Sequence, residues 1–542
     1  MAIVTGGGAG IGAAVAEELG RQGAFVITMD PLVTVDGTEQ VPDADESTAG
    51  RIVAAGGSAR ASSVSVTDAT AVRRLFAEVV EELGGVDAVV NVAGITRPTS
   101  FTRGSENDWR SVLAVHLDGY RNVLEAALGV MAAAGRGHIL GVTSGSGWRT
   151  ADTGAYGCAK RAVASLTWQL GRQAPQGVVV NAMSPIAMTR MVTNALKGRA
   201  APSTSGSGAA TTGGLSLGSM PAAEELGPFA AHLVDPGFSA CRGQVLFTAG
   251  SEVAVIDEPR LLEVFGHDGG ASLANALERL TPGALVPAES HQQSGGGSNA
   301  RFGSRPDDAA AQPLPHPAIE TCVVAADGGA VADATVAALE ARGVTCHRLA
   351  VDAAVGFDSS TDLLASAVGT DRSVDAVVLA LPGGSSDASA NGWERILAEH
   401  AEVVEQIYTD AAWTRVVADH SASTEHPVRL VTLTDATTAG GRSRAQASAQ
   451  LARAARRATD ERVTAFSVSV ETDAPGSAGE LAAHLLCSPE TAALSGAELV
   501  VRPGSIGLRS HPKVRASLVL GDGSVPDWLD DALSAIIDGE AV

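Results

Sequence analysis

Tyr156 and Lys160 stand four residues apart, and Ser144 lies twelve residues upstream. In a helix that spacing places phenol and ammonium on one face. A free tyrosine titrates near about 10 and is a poor base at neutral pH. A neighbouring ammonium stabilises the phenolate and brings it into range. Ser144 closes an apolar run, where its hydroxyl can donate to a carbonyl or alkoxide oxygen. Such a set could handle a proton on a carbonyl or alkoxide oxygen.

A second group suits a phosphate. Thr5-Gly6-Gly7-Gly8-Ala9-Gly10-Ile11-Gly12 lies between the apolar run Ala2–Thr5 and a helical pattern over Ala13–Gln22. Glycines there allow a tight turn and a close backbone approach, and the helix N-terminus favours an anion. Asp30 ends the next apolar run. A carboxylate at that point can accept both hydroxyls of an adenosine ribose and repels a 2′-phosphate. No Arg or Lys occupies the turn or the residues just after Asp30, so NAD is expected rather than NADP.

These residues need a parallel sheet to bring them together. Apolar runs at Ala2–Thr5, Ala24–Met29, Ala88–Val92, His138–Thr143, Val178–Ala182 and Gln244–Thr248 alternate with helical stretches at Ala13–Gln22, Ala69–Leu83, Glu106–Ala133 and Ala155–Arg172. Strands apolar on both faces, alternating with helices, imply an α/β doubly wound sheet. The stretch from about 191 to 225 interrupts the pattern with Ala, Gly, Ser and Thr, and is expected to be a lid over a substrate.

The pattern then recurs. Val86-Asp87-Ala88-Val89-Val90 returns as Val374-Asp375-Ala376-Val377-Val378, and Asn107-x-Trp109 with His116 returns as Asn391-x-Trp393 with His400. Ala230-Ala231-His232-Leu233 returns as Ala482-Ala483-His484-Leu485. A repeat of this length means two tandem Rossmann-type domains. The expected boundaries are 1–284 for a catalytic domain, 285–318 for a Gly/Ser- and Pro-rich linker, and 319–542 for a second domain. In the second copy Gly6, Gly10 and Gly12 become Ala326, Ala330 and Ala332, Asn91 becomes Leu379, and Tyr156 and Lys160 become Gln446 and Gln450. That copy is expected to be inert and kept for packing, with helices 106–133 and 155–172 docked in cis on 393–419 and 445–457. The chain would be an intrachain pseudo-dimer, and two chains a homodimer.

Bulk properties exclude several classes. The 542 residues carry a net charge of −23, with 45% hydrophobic and 18% charged residues. Such acidity argues against nucleic acid and anionic membranes as partners. Five cysteines, none spaced as CxxC, argue against a disulfide framework or a metal site. The run Ala2–Thr5 leaves no room for a leader, and no long apolar span occurs, so a cytoplasmic location is expected.

Together the motifs resemble the short-chain dehydrogenase/reductase family over about residues 1–260. The resemblance rests on residues 5–12, Asn91-Val92-Ala93-Gly94, Ser144, Tyr156-x3-Lys160, Asn181 and Pro185 with Thr189. It implies that Tyr156 is base in oxidation and acid in reduction, that Lys160 holds the nicotinamide ribose, and that Ser144 steadies the reacting oxygen. Thr5, Gly6, Gly10, Ile11, Gly12, Asp30, Ser65, Val66, Asn91, Ala93 and Gly94 would line the adenosine and phosphate side. Pro185, Ile186 and Thr189 would cover the carboxamide. Four positions depart from the family pattern. His116 stands where an Asn is usual, as a candidate proton relay or a packing residue. Ser65 replaces an adenine-facing Asp, Ile186 follows Pro185 in place of Gly, and the short Ser144–Tyr156 spacing leaves Ser146 as an alternative. The branch it looks most like includes the hydroxyacyl-CoA dehydrogenase units, which implies a CoA thioester or similarly bulky small-molecule substrate. A hydroxysteroid dehydrogenase, a ketoreductase and a non-enzymatic NAD-binding scaffold or sensor are the alternatives.

Overall fold

The structure is a computed structural model, and it describes residues 1–41, 47–149, 152–196, 211–212, 215–216, 221–284, 318–351, 356–357, 363–369, 373–381, 383–384, 390, 392–521 and 524–539. The expected lid falls mostly outside these residues, and so does the expected linker.

The first half runs β1 (Ala2–Thr5), α1 (Gly10–Arg21), β2 (Phe25–Met29), α2 (Thr48–Ala54), β3 (Ser58–Ser62), α3 (Ala69–Leu83), β4 (Ala88–Asn91), α4 (Glu106–Leu113), α5 (Gly119–Ala134), β5 (Gly137–Val142), α6 (Gly154–Gln173), β6 (Val178–Pro185), α7 (Arg190–Leu196), β7 (Thr211–Thr212), β8 (Leu215–Ser216), α8 (Gly227–His232), β9 (Val245–Ala249), β10 (Glu252–Asp257), β11 (Leu261–Gly266) and α9 (Gly270–Ala284). The second half runs β12 (Thr321–Ala326), α10 (Ala330–Glu340), β13 (Thr345–Leu349), α11 (Leu363–Val368), β14 (Ala376–Ala380), α12 (Gly392–Glu399), α13 (Val403–Thr424), β15 (Val428–Asp435), α14 (Ala439–Ala458), β16 (Val463–Val470), α15 (Pro475–Cys487), β17 (Glu498–Arg502), β18 (Ser505–Arg509), β19 (Lys513–Val519) and α16 (Leu529–Asp538).

Two parallel-dominated sheets form, as the alternation of apolar runs and helices implies. The first has the order β19-β10-β9-β6-β5-β4-β1-β2-β3, and the second β11-β18-β17-β16-β15-β14-β12-β13. Each is covered on both faces. Along β1, Ile3 enters a core shared with α3 and α5, while Ala2 and Val4 pack on the opposite face with α1 and α8. This is the period of two expected of a strand buried on both sides. The core containing Ile3 continues through α4, α5, α6, α13 and α14 into the second sheet at Val323 and Val377. The helices named from the sequence for docking in cis therefore do meet. Arg110 bridges to Glu405 at 2.5 Å and lies over the Tyr408 ring, Arg415 donates to the Gly104 carbonyl at 2.6 Å, and Gln169 donates to the Ala439 carbonyl at 3.2 Å.

The sheets exchange their last elements. β11 pairs antiparallel with β18 of the second half, and α9 buries Leu273, Leu277 and Leu280 beneath that sheet. Reciprocally, β19 pairs antiparallel with β10, and α16 buries Leu529, Leu533 and Ile536 beneath the first sheet. The stretches 261–284 and 513–538 are thus each built into the sheet of the other half. A boundary at 284 in sequence is not a boundary between the sheets.

The stretch 106–133 is helical throughout but not a regular α-helix. α4 opens with a capping box, Ser105 against Asp108, and a wide π-helical turn at Ala114–Asp118 separates it from α5. That turn places His116.

Candidate active site

β1 passes into α1 through backbone that only glycine accommodates easily. Gly6 and Gly10 have φ of +64° and +57°. A Cβ on Gly6 would lie 3.0 Å from the Ala93 Cα, and one on Gly12 would lie 2.2 Å from the Gly6 carbonyl oxygen. Ala9 begins α1 with no side-chain cap, so the first-turn N–H groups are free of one. Ile11 packs behind them on the first-half core. The turn can receive a pyrophosphate, and the residues present fit a dinucleotide. A cleft of about 610 Å³ opens beside it, lined by Gly10, Val35, Met188, Thr189, Arg190 and Ala223.

The other cofactor candidates surround this turn. The Thr5 hydroxyl donates to Asn91 Oδ1 at 2.9 Å and accepts from the Val92 and Ala93 amides, which locks the ends of β1 and β4 together. Asp30 accepts from the Gly8 amide at 3.0 Å and from the Leu32 amide at 2.8 Å, so its carboxylate is aimed across the turn. The Ser65 Oγ lies 2.9 Å from the Thr67 Oγ1, and the Val66 carbonyl accepts from Asn122. Pro185 ends β6, the Ile186 amide donates to the Thr248 carbonyl, and Thr189 accepts from the Val192 amide at the start of α7.

Ser144, Tyr156 and Lys160 meet at the C-terminal end of β5 and the start of α6. The Thr143 hydroxyl donates to the Lys160 carbonyl at 2.5 Å and ties the two elements together. Burial pushes the Tyr156 phenol up, while the nearby Ser144 hydroxyl and the Arg149 charge pull against it. The Ser146 amide donates to the Ser144 Oγ at 3.2 Å, so the two serines are joined beside the phenol. Lys160 is buried, donates to the Val142 carbonyl at 2.7 Å, and is pulled down to about 7 by burial. Its ammonium lies 5.8 Å from the Tyr156 ring centroid.

Arg149 is a site residue that the motif reading missed. It is the lone cation in the loop after Ser144, which was the available signal. Its Nε is buried with no hydrogen-bond partner among the described residues. Since its charge lowers the phenol's pKa, Arg149→Met should move the acidic limb of kcat/KM, measured for alcohol oxidation against pH, to higher pH. An unmoved limb would show that the guanidinium does not act on Tyr156.

His116 was a catalytic candidate, and its surroundings are those of a packing residue. The π-helical turn aims its ring at the β4 loop, where Nε2 lies 2.7 Å from the Ile95 carbonyl. A Cβ on Gly94 would lie 2.4 Å from the imidazole. The ring meets Tyr156 edge-on at 5.0 Å, and burial together with the Lys160 charge holds it neutral, at about 3. No hydrogen bond joins it to Tyr156, Ser144 or Lys160 among the described residues. His400 is also buried, with its ring nitrogens on the Ile396 carbonyl and Ser443.

In the second half, Gln446 and Gln450 lie buried on α14 and face the first half. Gln446 accepts from Arg161 Nε at 3.0 Å, and Gln450 donates to the Arg149 carbonyl at 2.8 Å. Side chains at the two positions are therefore committed to the contact between halves.

Comparison with known proteins agrees with this geometry. Residues 1–200 match the family model for short chain dehydrogenase. The short-chain reductase NovJ of Streptomyces niveus is 39% identical over 186 residues, covering 34% of this chain and 68% of its own. The 3-oxoacyl-[acyl-carrier-protein] reductase FabG of Vibrio cholerae is 30% identical over 198 residues, 36% of this chain and 76% of its own. The peroxisomal multifunctional enzyme A of Dictyostelium discoideum is 32% identical over 193 residues, 35% of this chain and 43% of its own. The chain belongs to the short-chain dehydrogenase family, whose members are oxidoreductases that use NAD or NADP. Among the described residues no helix is long and apolar enough to cross a membrane, and no cluster of side chains could hold a metal ion.

Proposed function

We propose that this chain is an NAD-dependent oxidoreductase that interconverts a secondary alcohol and a ketone. The observation that carries the reading is the buried Lys160 ammonium 5.8 Å from the Tyr156 ring, at the end of β5 beside Ser144, in the same half as the glycine turn. A bound nicotinamide dinucleotide supplies or accepts the hydride. Tyr156 takes the alcohol proton in oxidation and returns it in reduction, Ser144 orients the reacting oxygen, and Lys160 holds the ribose and steadies the phenolate. His116 packs behind the Tyr156 ring.

The substrate we favour is a 3-hydroxyacyl thioester or a similarly bulky hydroxy compound. The FabG relative, named for a 3-oxoacyl thioester, supports this class and the ketoreductase direction equally. We read the second half as a non-catalytic counterpart of the first, which makes the chain an intrachain pseudo-dimer. The matching strand order and the loss of the Tyr and Lys to Gln446 and Gln450 support that reading. Five unpaired cysteines support a cytoplasmic location.

The test is reduction of acetoacetyl-CoA and of a ketosteroid panel with NADH and with NADPH. Turnover of acetoacetyl-CoA with NADH is expected. Asp30→Ala should raise the KM for NADH about 10- to 100-fold, the worth of hydrogen bonds to a charged group. Turnover with NADPH alone would overturn the cofactor assignment, and turnover of steroids alone would overturn the substrate class.

A further inference from the structure

The loop between β5 and α6 carries Ser144 and Arg149, and the second half holds it by its backbone. Gln446, Gln450 and Arg453 fall on one face of α14, four and three residues apart. Gln450 Nε2 donates to two carbonyls of the loop, Ser146 at 3.2 Å and Arg149 at 2.8 Å. Arg453 donates to a third carbonyl between them, that of Trp148. The Ser146 amide in turn donates to the Ser144 Oγ. A chain of contacts thus runs from α14 to the Ser144 hydroxyl, beside the phenol.

Gln450 and Gln446 are themselves held. Arg161, the residue after Lys160, donates to Gln446 at 3.0 Å and to Gln450 at 3.5 Å, and pairs with Glu498 at 3.3 Å. Gln446 donates to the other Glu498 oxygen at 2.6 Å, and Arg161 Nη2 lies 2.9 Å from His511 Nδ1. All of these side chains are buried. An amide suits this place better than the Tyr and Lys of the first half. It donates to loop carbonyls and accepts from Arg161 without bringing a further charge into a site that already buries several.

We propose that Gln450 and Arg453 are positioning residues for the first half's reaction site, so that the second half sets the geometry of Ser144 as well as packing against α6. The proposal rests on the reading of Ser144 and Tyr156 as the reaction site. Misplacement by about 1 Å can cost about 100-fold in rate. Neither residue is near the glycine turn, so cofactor affinity should not change.

The experiment uses the full chain with Gln450→Ala and the near-isosteric Gln450→Glu, whose carboxylate cannot donate to a carbonyl. For acetoacetyl-CoA reduction, kcat should fall about 10- to 100-fold in both variants, with NADH affinity by calorimetry within twofold of wild type. The basic limb of the pH profile should move to higher pH, because Ser144 no longer holds the phenolate. Amide exchange over residues 145–149 should quicken while that of α1 stays unchanged. Wild-type kcat and pH limb in both variants would overturn the proposal, as would a parallel loss of kcat, NADH affinity and α1 protection. If wild type binds NADH but reduces neither acetoacetyl-CoA nor a steroid, the reading in Proposed function fails instead. Exchange then judges the clamp alone, and unchanged protection over 145–149 overturns it.

Discussion

Tyr156→Phe should lower kcat by about 100- to 10,000-fold in both directions, the range expected when a positioned acid–base group is removed. The reason is local. Phenylalanine keeps the ring, and with it the edge-on contact to His116 at 5.0 Å and the buried packing around α6. Only the hydroxyl beside Ser144 is lost. Protein stability and NADH binding should therefore remain close to wild type, and steady-state kinetics beside a calorimetric titration separates the two effects. A variant retaining more than a tenth of wild-type kcat would remove Tyr156 from the acid–base role. The effect should exceed that of either Gln450 variant, because those displace the serine beside the phenol rather than the phenol itself.

Ending the chain at residue 510 should prevent the first half from folding, although every proposed catalytic and cofactor residue lies between Thr5 and Thr189. The cut removes β19, which pairs along β10, and α16 beneath the same sheet. Leu520, Leu529, Leu533 and Ile536 are all buried there. Each buried side chain of this size contributes about 1.5–3 kcal/mol, so the four together contribute roughly 6–12 kcal/mol. A domain's entire net stability is only about 5–15 kcal/mol. The cut also bares β10 as an unpaired edge, an invitation to aggregate. Circular dichroism and sedimentation of fragment 1–510 are the measurements. The expected product is insoluble or lacks a cooperative transition, and a soluble, active fragment would contradict the interlocked fold. A fragment ending at 284 should fare no better, since α9 would then hold Leu273, Leu277 and Leu280 against nothing.

The residues that touch one another at the site were legible one by one. Thr5, the glycines and Asp30 are local to one strand–turn–helix unit, and a short unit declares itself through composition and period. Tyr156 and Lys160 were legible because helical spacing fixes which side chains share a face, and Ser144 because it closes an apolar run. The strand exchange was not. β10 and β18 each follow a tight hairpin, and nothing in the order of residues says which sheet edge the next strand will join. That choice is made by pairing between distant segments, β11 with β18 and β19 with β10. β3, with the sequence Ser58-Ala59-Arg60-Ala61-Ser62, was missed because an edge strand of small, half-exposed residues has no apolar signature. His116 could be read either way from its spacing. Only the π-helical turn, which needs one more residue than an α-helical turn, shows its ring lodged against the Ile95 backbone. Gln446 and Gln450 read as losses in sequence, while the fold places them as contacts.

The central claim is that one half of the chain carries the whole reaction site and the other half supports it. Calorimetric titration of the full chain with NAD tests this most directly, beside the same titration of Asp30→Ala. One site per chain, abolished or greatly weakened by the substitution, is the predicted result. Two sites per chain, or a single site indifferent to Asp30, would contradict it and would make the second half a cofactor-binding domain.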